Sequence, residues 1–438
     1  MSAIAQTLSG IVGSEGVQVW NALDELTRTR LGRAIAPTSQ MECVAYPQSE
    51  AQLADVMTWL HRHRGRSLPF GSGTKLGWGG LASEIQVGVS TARLNRLIDH
   101  ADGDLTVTAE AGMRLVDLQA VLSQKGQFLA IDPTYDDQAT LGGIVATADA
   151  GTLRQRYGGV RDMLIGVTFV RADGKITKAG GRVVKNVAGY DLMKLLTGSW
   201  GTLGVLSQLT FRVYPLPEAS GTVVLTGKAE AIAQATQTIL SSALTPTAVE
   251  LLAATTVQTL ELGDGLGLIC RFQSLAVGVQ QQVAQMLAVG QTLGLGVDSL
   301  GGEPETLLWK RLREMWEAPA RQPLITCKIG VLPAQAVMFL DQLHQIIPQL
   351  ELGQIHAGSG LGMLRFGSEA ITADQLRQLR QRCQAQGGFL SILEAPTPLK
   401  QLLDVWGYSG NALALMKGIK QQFDPQNLLS PDRFLQDL

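Results

Sequence analysis

Hydrophobic residues early in the chain recur first with the spacing of a helix and then in strand-like runs. Apolar side chains lie three or four positions apart behind Ser49, which predicts a helix capped by the Ser49 hydroxyl. They are Leu53, Val56, Met57 and Leu60. A second helix is predicted at residues 115–122. Strands are predicted at residues 67–70, 84–89, 105–110, 162–171, 175–179 and 203–214.

The pattern changes after Pro215 and Pro217, which mark the main predicted domain boundary. Beyond them, strand-like and helical segments alternate, as expected for an α+β domain. Strands are predicted at 223–225 and 266–272, and helices at 229–240, 280–293 and 413–423. The predicted parts are a helical lead-in at 1–37, a first domain at 38–217, an α+β cap at 218–412, and a helix with an irregular tail at 413–438.

Length and composition fit a two-domain globular protein of 438 residues, with 45% hydrophobic and 17% charged residues. The formal net charge is -2, which argues against a nucleic-acid partner or an anionic membrane surface. The cysteines form no C-x-x-C pair, so we expect neither an iron–sulfur cluster nor a disulfide framework. Cysteines of this kind fit a reducing compartment, and we therefore expect a cytoplasmic location. They are Cys43, Cys270, Cys327 and Cys383. We expect no signal peptide and no direct membrane insertion, so membrane association would go through a partner.

Residues 71–80 form a glycine-rich loop, Gly-Ser-Gly-Thr-Lys-Leu-Gly-Trp-Gly-Gly, directly after a predicted strand. Glycines let backbone N–H groups approach an anion closely, and Thr74 and Lys75 could add a hydroxyl and a charge. A pyrophosphate is the expected guest. The loop is neither a Walker A sequence nor a Rossmann fingerprint. By itself it is equally compatible with a turn that binds nothing.

The central segment adds a longer series of motifs. Asp132-Pro133 precedes Ala-Thr-Leu-Gly-Gly-Ile-Val-Ala-Thr-Ala at 139–148, and Gly151 follows. Tyr-Gly-Gly-Val-Arg-Asp comes next, and the series closes with Gly-Ser-Trp-Gly-Thr-Leu-Gly-Val at 198–205. The small residues leave room for a flat aromatic ring. Any one piece alone is better explained by close packing.

The order of these motifs resembles the PCMH-type FAD-binding domain of the vanillyl-alcohol-oxidase superfamily, over residues 38–217 and the tail. The resemblance implies FAD, with the glycine loop at the pyrophosphate, the T-L-G-G segment along the flavin and the G-T-L-G-V strand at the adenine end. It also implies that the tail returns to the first domain. The FAD should be non-covalent, because neither binding stretch contains the His or Cys that covalent attachment usually needs. The residues so assigned to FAD are Gly71, Ser72, Gly73, Thr74, Lys75, Pro133, Thr140, Leu141, Gly142, Gly143, Ala146, Thr147, Gly151, Gly204 and Val205.

Within that superfamily, the run from 180 to 205 resembles E-type subunits of glycolate oxidase. It contains V-K-N-V-A-G-Y-D-L, and Trp200 stands where D-type subunits carry an acidic residue. The tail F-D-P-Q-N-L-L-S-P-D-R-F at 423–434 is also similar to the family, with Ser430 replacing the usual Asn and Asp432 the usual Gly. The resemblance implies an FAD-binding subunit of an acceptor-dependent complex that oxidises glycolate, a 2-hydroxy acid, to glyoxylate. Its partners would be a D-type flavin subunit and an iron–sulfur subunit. A self-sufficient D-2-hydroxy-acid dehydrogenase and a non-catalytic assembly subunit remain alternatives.

A degenerate motif in the second half bears on catalysis. D-type 2-hydroxy-acid dehydrogenases carry H-x-G-D-G-N-x-H, and the matching stretch here begins at His356. The carboxylate, amide and second His positions hold Ser359, Leu361 and Met363. Too few donors remain for a divalent cation, so we expect no metal. His356 is the catalytic candidate, and Arg365 the candidate for binding a substrate carboxylate. Other cationic candidates in this half are Arg271, Arg311, Arg313, Arg321 and Lys328.

Overall fold

The computed structural model describes residues 2–182, 189–317 and 323–435, and the chain divides into two compact units. The first unit holds Met1–Ala150, Gly159–Leu216 and Tyr408–Leu438, and the second holds Gly151–Gly158 and Pro217–Gly407. The division into compact units differs from the predicted domain ranges at residues 1–37, 151–158, 217 and 408–412. The roles predicted for the domains stay predictions. Residues 183–188, which include the first five residues of the V-K-N-V-A-G-Y-D-L motif, lie outside the described residues, as does Arg321.

Up to residue 216 the chain is a mixture of short strands and helices. The helices are α1 (Ala3–Val12), α2 (Glu25–Gly32), α3 (Glu50–His63), α4 (Leu115–Ser123), α5 (Leu141–Thr147), α6 (Arg154–Tyr157), α7 (Val160–Met163) and α8 (Leu192–Leu196). The strands are β1 (Val17–Val19), β2 (Cys43–Ala45), β3 (Ser67–Phe70), β4 (Val87–Ser90), β5 (Leu97–Ala101), β6 (Thr106–Glu110), β7 (Gln127–Phe128), β8 (Leu164–Val170), β9 (Ile176–Gly180), β10 (Val205–Arg212) and β11 (Tyr214–Pro215).

Two sheets organise the first unit. One has the strand order β1-β2-β4-β3, with β2 and β3 parallel to β4. The other is antiparallel with the order β5-β6-β10-β8-β9. Helix α3 covers a core that includes Leu53, Val56, Met57 and Leu60. The Ser49 side chain accepts a hydrogen bond from the Gln52 N–H, so the predicted capped helix is confirmed.

Several local expectations need correction. The predicted strand at 162–171 begins only at Leu164, because α7 precedes it. The strand expected at 84–89 begins at Val87, after Glu84 adopts a left-handed conformation (φ 52°). The T-L-G-G segment is a helix, α5, capped by the Thr140 hydroxyl. Residues 1–37 were expected to be helical, and they also contain the strand β1 between the helices α1 and α2.

From residue 217 onward the strands are longer and form one sheet. The helices are α9 (Ala229–Ser241), α10 (Ala254–Thr259), α11 (Ala276–Thr292), α12 (Gly302–Glu314), α13 (Ala336–Ile346), α14 (Ala373–Ala385), α15 (Thr397–Leu402) and α16 (Leu413–Phe423), the last in the first unit. The strands are β12 (Ala219–Gly227), β13 (Ala248–Leu252), β14 (Leu266–Ser274), β15 (Gly296–Leu300), β16 (Leu324–Gly330), β17 (Leu350–His356), β18 (Leu361–Gly367) and β19 (Phe389–Glu394).

The sheet of the second unit has the order β15-β12-β14-β13-β17-β18-β16-β19, with antiparallel neighbours. Alternate residues of β13 and β17, such as Val249 and Ile355, enter the main hydrophobic core of this unit. The residues between them point to the opposite face, where Glu250, Gln354 and His356 are buried polar residues. The expected α+β fold is confirmed. No helix among the described residues has the length and apolar character needed to cross a membrane.

Candidate functional site

A cleft that is open to solvent lies in the first unit, with about 750 Å³ of empty space when the solvent at its mouth is included. Its walls are the loop after β3, the helix α5, the segment before β10, and one side chain of the tail. Its lining residues are Pro69, Phe70, Gly71, Ser72, Gly73, Thr74, Lys75, Leu76, Thr91, Thr140, Gly142, Gly143, Ala146, Thr147, Ser199, Trp200, Gly201, Gly204, Val205, Leu206 and Arg433. The structure therefore brings three distant sequence motifs to one place.

Glycine is required where the loop passes α5. A Cβ on Gly71 would lie 2.0 Å from the Thr140 hydroxyl oxygen, and one on Gly142 would lie 3.0 Å from Ala111. Gly73 has φ 80°, a conformation that side chains disfavour. These close approaches leave backbone, rather than side chains, at this wall of the cleft.

The opposite wall is held against the end of α5. The Gly198 and Trp200 N–H groups donate to the carbonyls of Val145 and Ala146, at 2.9 Å each. Trp200 has φ 55°, an unusual backbone conformation for a bulky residue. Such strain is more common at functional sites than elsewhere.

Lys75 lies in the cleft but its charge is already balanced. Its Nζ is 2.9 Å from Oδ2 of Asp149, an ion pair whose angle is not that of a hydrogen bond. The same Asp149 oxygen accepts hydrogen bonds from the Thr134 N–H and hydroxyl, at 3.0 and 2.7 Å. Sequence reasoning found Lys75 and missed Asp149, because nothing in the sequence pairs two residues so far apart.

Arg433 of the tail is buried at the cleft, with a side chain that holds the glycine loop. Its guanidinium donates to the carbonyls of Leu76 at 2.8 Å, Gly80 at 3.1 Å and Ala34 at 3.3 Å. Burial lowers the pKa of Arg433 to about 10. The loop, the lead-in and the tail are thus joined through one cation. Sequence reasoning quoted this arginine in the tail motif without assigning it to the site.

Ser430 and Asp432 of the tail stand where the family has Asn and Gly, and both adopt left-handed backbone conformations that Asn and Gly favour. Ser430 has φ 46° and Asp432 has φ 64°, and the family's Asn and Gly both enter this region more readily. The Ser430 hydroxyl is buried with no hydrogen-bond partner among the described residues. A Cβ on Gly201, which lines the cleft, would lie 3.4 Å from it.

Most of the residues assigned to FAD from the sequence line this cleft, and three do not. Leu141 is a fully buried hydrophobic residue that is absent from the lining of the cleft. Gly151 belongs to the second unit, and Pro133 is not among the lining residues. Contact of any of these residues with FAD stays a prediction. The cleft suits a long ligand with a diphosphate and a flat ring, since its walls combine exposed backbone, small side chains and two buried cations.

Comparisons with known proteins agree with this geometry. Residues 41–180 match the family described as FAD binding domain, and residues 406–434 match the C-terminal domain of FAD linked oxidases. The chain carries a PCMH-type FAD-binding domain. It is an FAD-dependent oxidoreductase, and the expected cofactor is confirmed.

Relatives that align along most of the chain have low sequence identity to it. A probable mitochondrial D-lactate dehydrogenase of Danio rerio is 26% identical over 99% of this chain and 92% of its own length. Glycolate oxidase subunit GlcD of Bacillus subtilis is 24% identical over 90% of this chain and 89% of its own. Glycolate oxidase subunit GlcE of Escherichia coli is 42% identical, but over only 28% of this chain and 36% of its own length.

Solved structures support the fold. A 4-ethylphenol oxidase from Gulosibacter chungangensis gives a TM-score of 0.75 at 15% identity, covering 100% of this chain and 98% of its own. A p-cresol methylhydroxylase gives 0.74 at 15% identity, covering 98% and 96%. At this identity the likeness shows the vanillyl-alcohol-oxidase-like fold alone.

His356 lies at the end of β17 in the second unit and is 7% exposed. The Ser359 N–H donates to its Nδ1 at 3.1 Å, and the Ser359 hydroxyl lies 2.7 Å from the same atom. Burial first, and then the charge of Arg154, lower the pKa of His356 to about 4. The ring is therefore neutral near pH 7. Its role in catalysis stays a prediction.

This low pKa should make the fold sensitive to acid. Between pH 6.5 and about 4, the unfolded chain protonates His356 and the folded chain does not, so stability falls as the pH is lowered. The full difference is about 3 kcal/mol. Thermal unfolding of the wild type and of His356→Gln at pH 7.5, 6.0 and 4.5 should show the smaller acid loss in the variant. Equal losses would show that His356 is not buried in its neutral form.

Arg365 is used by the fold. Its guanidinium donates to the carbonyls of Met315 and Trp316 and stands over the Trp316 ring, 5.3 Å from the centroid. These contacts differ from binding a substrate carboxylate, which the sequence had suggested. Arg271 pairs with buried Glu305 at 3.0 Å, and Arg311 donates to the Thr259 carbonyl.

The prediction of no bound metal can be tested directly. No group of three or more His, Cys, Asp or Glu residues that could hold a metal ion occurs in the described parts of the chain. Elemental analysis of the purified protein should find well below one zinc or manganese per FAD, and chelator treatment should leave the flavin content unchanged. One tightly held metal per chain would contradict the interpretation of the degenerate motif.

We also expect FAD to be held without a covalent bond, because no His or Cys lines the cleft among the described residues. Acid precipitation should release the yellow colour completely into the supernatant. Flavin that remains with the washed pellet would contradict this expectation.

Proposed function

We propose that this chain is the E-type, FAD-binding subunit of an acceptor-dependent complex that oxidises glycolate, or a related 2-hydroxy acid, to the 2-oxo acid. The main support for this proposal is that the FAD motifs of the first unit are intact and the catalytic motif of the second unit is degenerate. The cleft proposed for FAD is lined by most of the residues that its motifs assign, whereas the stretch after His356 lacks the carboxylate and the second histidine. The segment that is 42% identical to GlcE of Escherichia coli, a glycolate oxidase subunit, supports the E-type assignment.

The residues of the first unit have separate tasks in this proposal. Backbone N–H groups at 71–74 bind the diphosphate, and the small residues Gly142, Gly143 and Ala146 admit the ring system. The Lys75–Asp149 ion pair places a balanced charge beside the diphosphate. Arg433 holds the glycine-rich loop at 71–80 in place through its hydrogen bonds to the backbone. When FAD is bound, its flavin can accept a hydride from the substrate and can release the electrons one at a time.

Electrons must then reach a partner. The four cysteines are buried and free, and burial raises the pKa of Cys43 and of Cys327 to about 12. Cysteines so dispersed do not supply the grouped thiolates of an iron–sulfur cluster. We therefore propose a D-type flavin subunit and an iron–sulfur subunit as partners.

Coexpression with the two partner subunits tests the proposal. Pull-down should recover all three chains, and dye reduction with glycolate should be much faster for the assembly than for this chain alone. A general base and a metal each commonly contribute about two powers of ten, and the degenerate motif lacks the residues for both. The proposal fails if the chain alone reduces the dye with glycolate as fast as the assembly does.

A self-sufficient dehydrogenase is the second candidate, because relatives that align over nine-tenths of this chain include D-lactate dehydrogenases and GlcD. Anaerobic addition of D-lactate or glycolate to the pure, FAD-loaded chain distinguishes the two. Rapid bleaching of the flavin absorbance would favour the self-sufficient enzyme. An FAD-free chain that the assembly still requires would favour a non-catalytic assembly role.

A further inference from the structure

The short helix α6 covers the turn that follows His356. It belongs to the second unit, although the residues on both sides of residues 151–158 belong to the first. It packs against β13, the neighbour of β17 in the sheet. A Cβ on Gly358 would lie 2.4 Å from the Gln155 side-chain oxygen and 3.4 Å from Cε1 of His356. The side chains of α6 therefore reach the immediate surroundings of the His356 ring.

The position of the proton on His356 follows from its hydrogen bonds. A backbone N–H can only donate, so Nδ1, which receives the Ser359 N–H, is the unprotonated nitrogen. The neutral ring then carries its proton on Nε2. That atom is buried and has no hydrogen-bond partner among the described residues. A buried donor without an acceptor is unfavourable, and such atoms in native structures commonly face a ligand or an ordered water.

Arg154 on α6 supplies the matching charge. Its side chain is half-buried, and its guanidinium takes part in no hydrogen bond or ion pair within the described part of the chain. It acts electrostatically on His356. Arg271 and Arg365, by contrast, are committed to Glu305 and to backbone carbonyls. A guanidinium on the helix that covers the turn after His356, together with a neutral N–H donor on that histidine, is chemistry suited to a carboxylate.

We propose that Arg154 and His356 form a binding site for the carboxylate of a small 2-hydroxy or 2-oxo acid, with His356 as a hydrogen-bond donor. The ligand class rests on the proposed function. Glu250 lies opposite His356 in the β13–β17 pair and accepts from Gln354 at 3.0 Å, so one carboxylate suits the site better than two. Because Nε2 is buried, binding requires a small displacement of the groups that cover it. Gly151 (φ 72°) and Gly158 (φ 81°) bracket α6.

Equilibrium binding to the FAD-loaded protein tests the site without turnover. Pyruvate is the probe, since a 2-oxo acid cannot donate a hydride, and D-lactamide is the matched ligand without a carboxylate. In titration calorimetry we expect Arg154→Gln to weaken pyruvate binding by about tenfold or more. The matched control is Arg156→Gln, an exposed arginine on the same helix, which should stay within about twofold of the wild type. His356→Gln, which keeps an N–H donor, should bind better than His356→Leu.

The outcomes separate this inference from the proposed function. No saturable pyruvate binding to the wild type, or equal losses in Arg154→Gln and Arg156→Gln, overturns the carboxylate site. Binding of D-lactamide as tight as that of pyruvate overturns it as well. None of these results affects FAD content or assembly with the partner subunits, by which the proposed function is tested.

Discussion

Gly143→Asp should yield a folded protein that no longer binds FAD. Gly143 lines the cleft from within α5, and a Cβ placed there would meet Thr140 Oγ1 at 3.2 Å and, among the described residues outside the backbone of its own helix, no other atom within 4 Å. The backbone of Gly143 is helical and has no positive φ, so an Asp there must displace the Thr140 hydroxyl only slightly. The new carboxylate is added at a residue that lines the cleft. The new side chain would take up space assigned to the ring system, and it would also lie near the diphosphate loop, because the Cβ positions of Gly71 and Gly143 both adjoin Thr140 Oγ1. Repulsion between this charge and a diphosphate in a partly buried site is on the order of a few kcal/mol. Since about 1.4 kcal/mol is tenfold in affinity, we expect a loss of about a hundredfold or more.

The matched control is Gly418→Asp, which makes the same change in a helix of the same unit. Gly418 is exposed and has no atom within 4 Å of its Cβ position. The apoproteins of both variants should show the circular dichroism of the wild type, and fluorescence titration with FAD should separate them. A Gly143→Asp protein that copurifies with a full complement of FAD would show that the cleft has been assigned to the wrong ligand.

Local signals explain which parts of the fold could be predicted from the sequence. Helix α3 follows from its apolar spacing and from Ser49, and both act within a few residues. The hairpin of β8 and β9 could be predicted because Ala172-Asp173-Gly174, a favourable hairpin turn, separates the two predicted strands. The Gly174 N–H donates to the Arg171 carbonyl at 3.0 Å in that turn. Helix α5 escaped prediction because its glycines are poor helix formers. Its cap and its packing against Ala111 outweigh that propensity.

The candidate site divides in the same way. Its loop and its small residues could be predicted because a recognisable order of motifs carries them. Asp149, Arg433 and α6 could not, since each acts through a partner distant in sequence. The pairing of Asp149 with Lys75 and the hydrogen bonds of Arg433 to Leu76 and Gly80 appear only once the chain is folded. Arg365 shows the converse case. Its place near a motif suggested a substrate carboxylate, whereas its guanidinium donates to the carbonyls of Met315 and Trp316, and a role in substrate binding stays a prediction.

The last prediction concerns the ion pair that joins the tail to the cleft. Lys420→Met should destabilise the first unit more than any surface change. Its Nζ donates to the carbonyls of Thr202 and Leu429 at 2.9 Å each, and to Asp424 at 2.7 Å. The side chains of Lys420 and Asp424 are only 7% and 0% exposed. Burial lowers the pKa of Lys420, and the nearby Asp424 opposes that change.

Removing one member of a buried pair leaves the other charge without compensation, which commonly costs about 3–5 kcal/mol. Lys194→Met is the control, because Lys194 pairs with Asp191 at the surface, where about 1 kcal/mol or less is expected. Lys420→Met/Asp424→Asn should regain part of the loss, since the new amide side chain is neutral and can still accept the Leu429 N–H. Urea unfolding and FAD retention should fall together in the single variant, because Thr202 lies between the cleft residues Gly201 and Gly204. If Lys420→Met unfolds at the same urea concentration as Lys194→Met, the tail is not held by this pair.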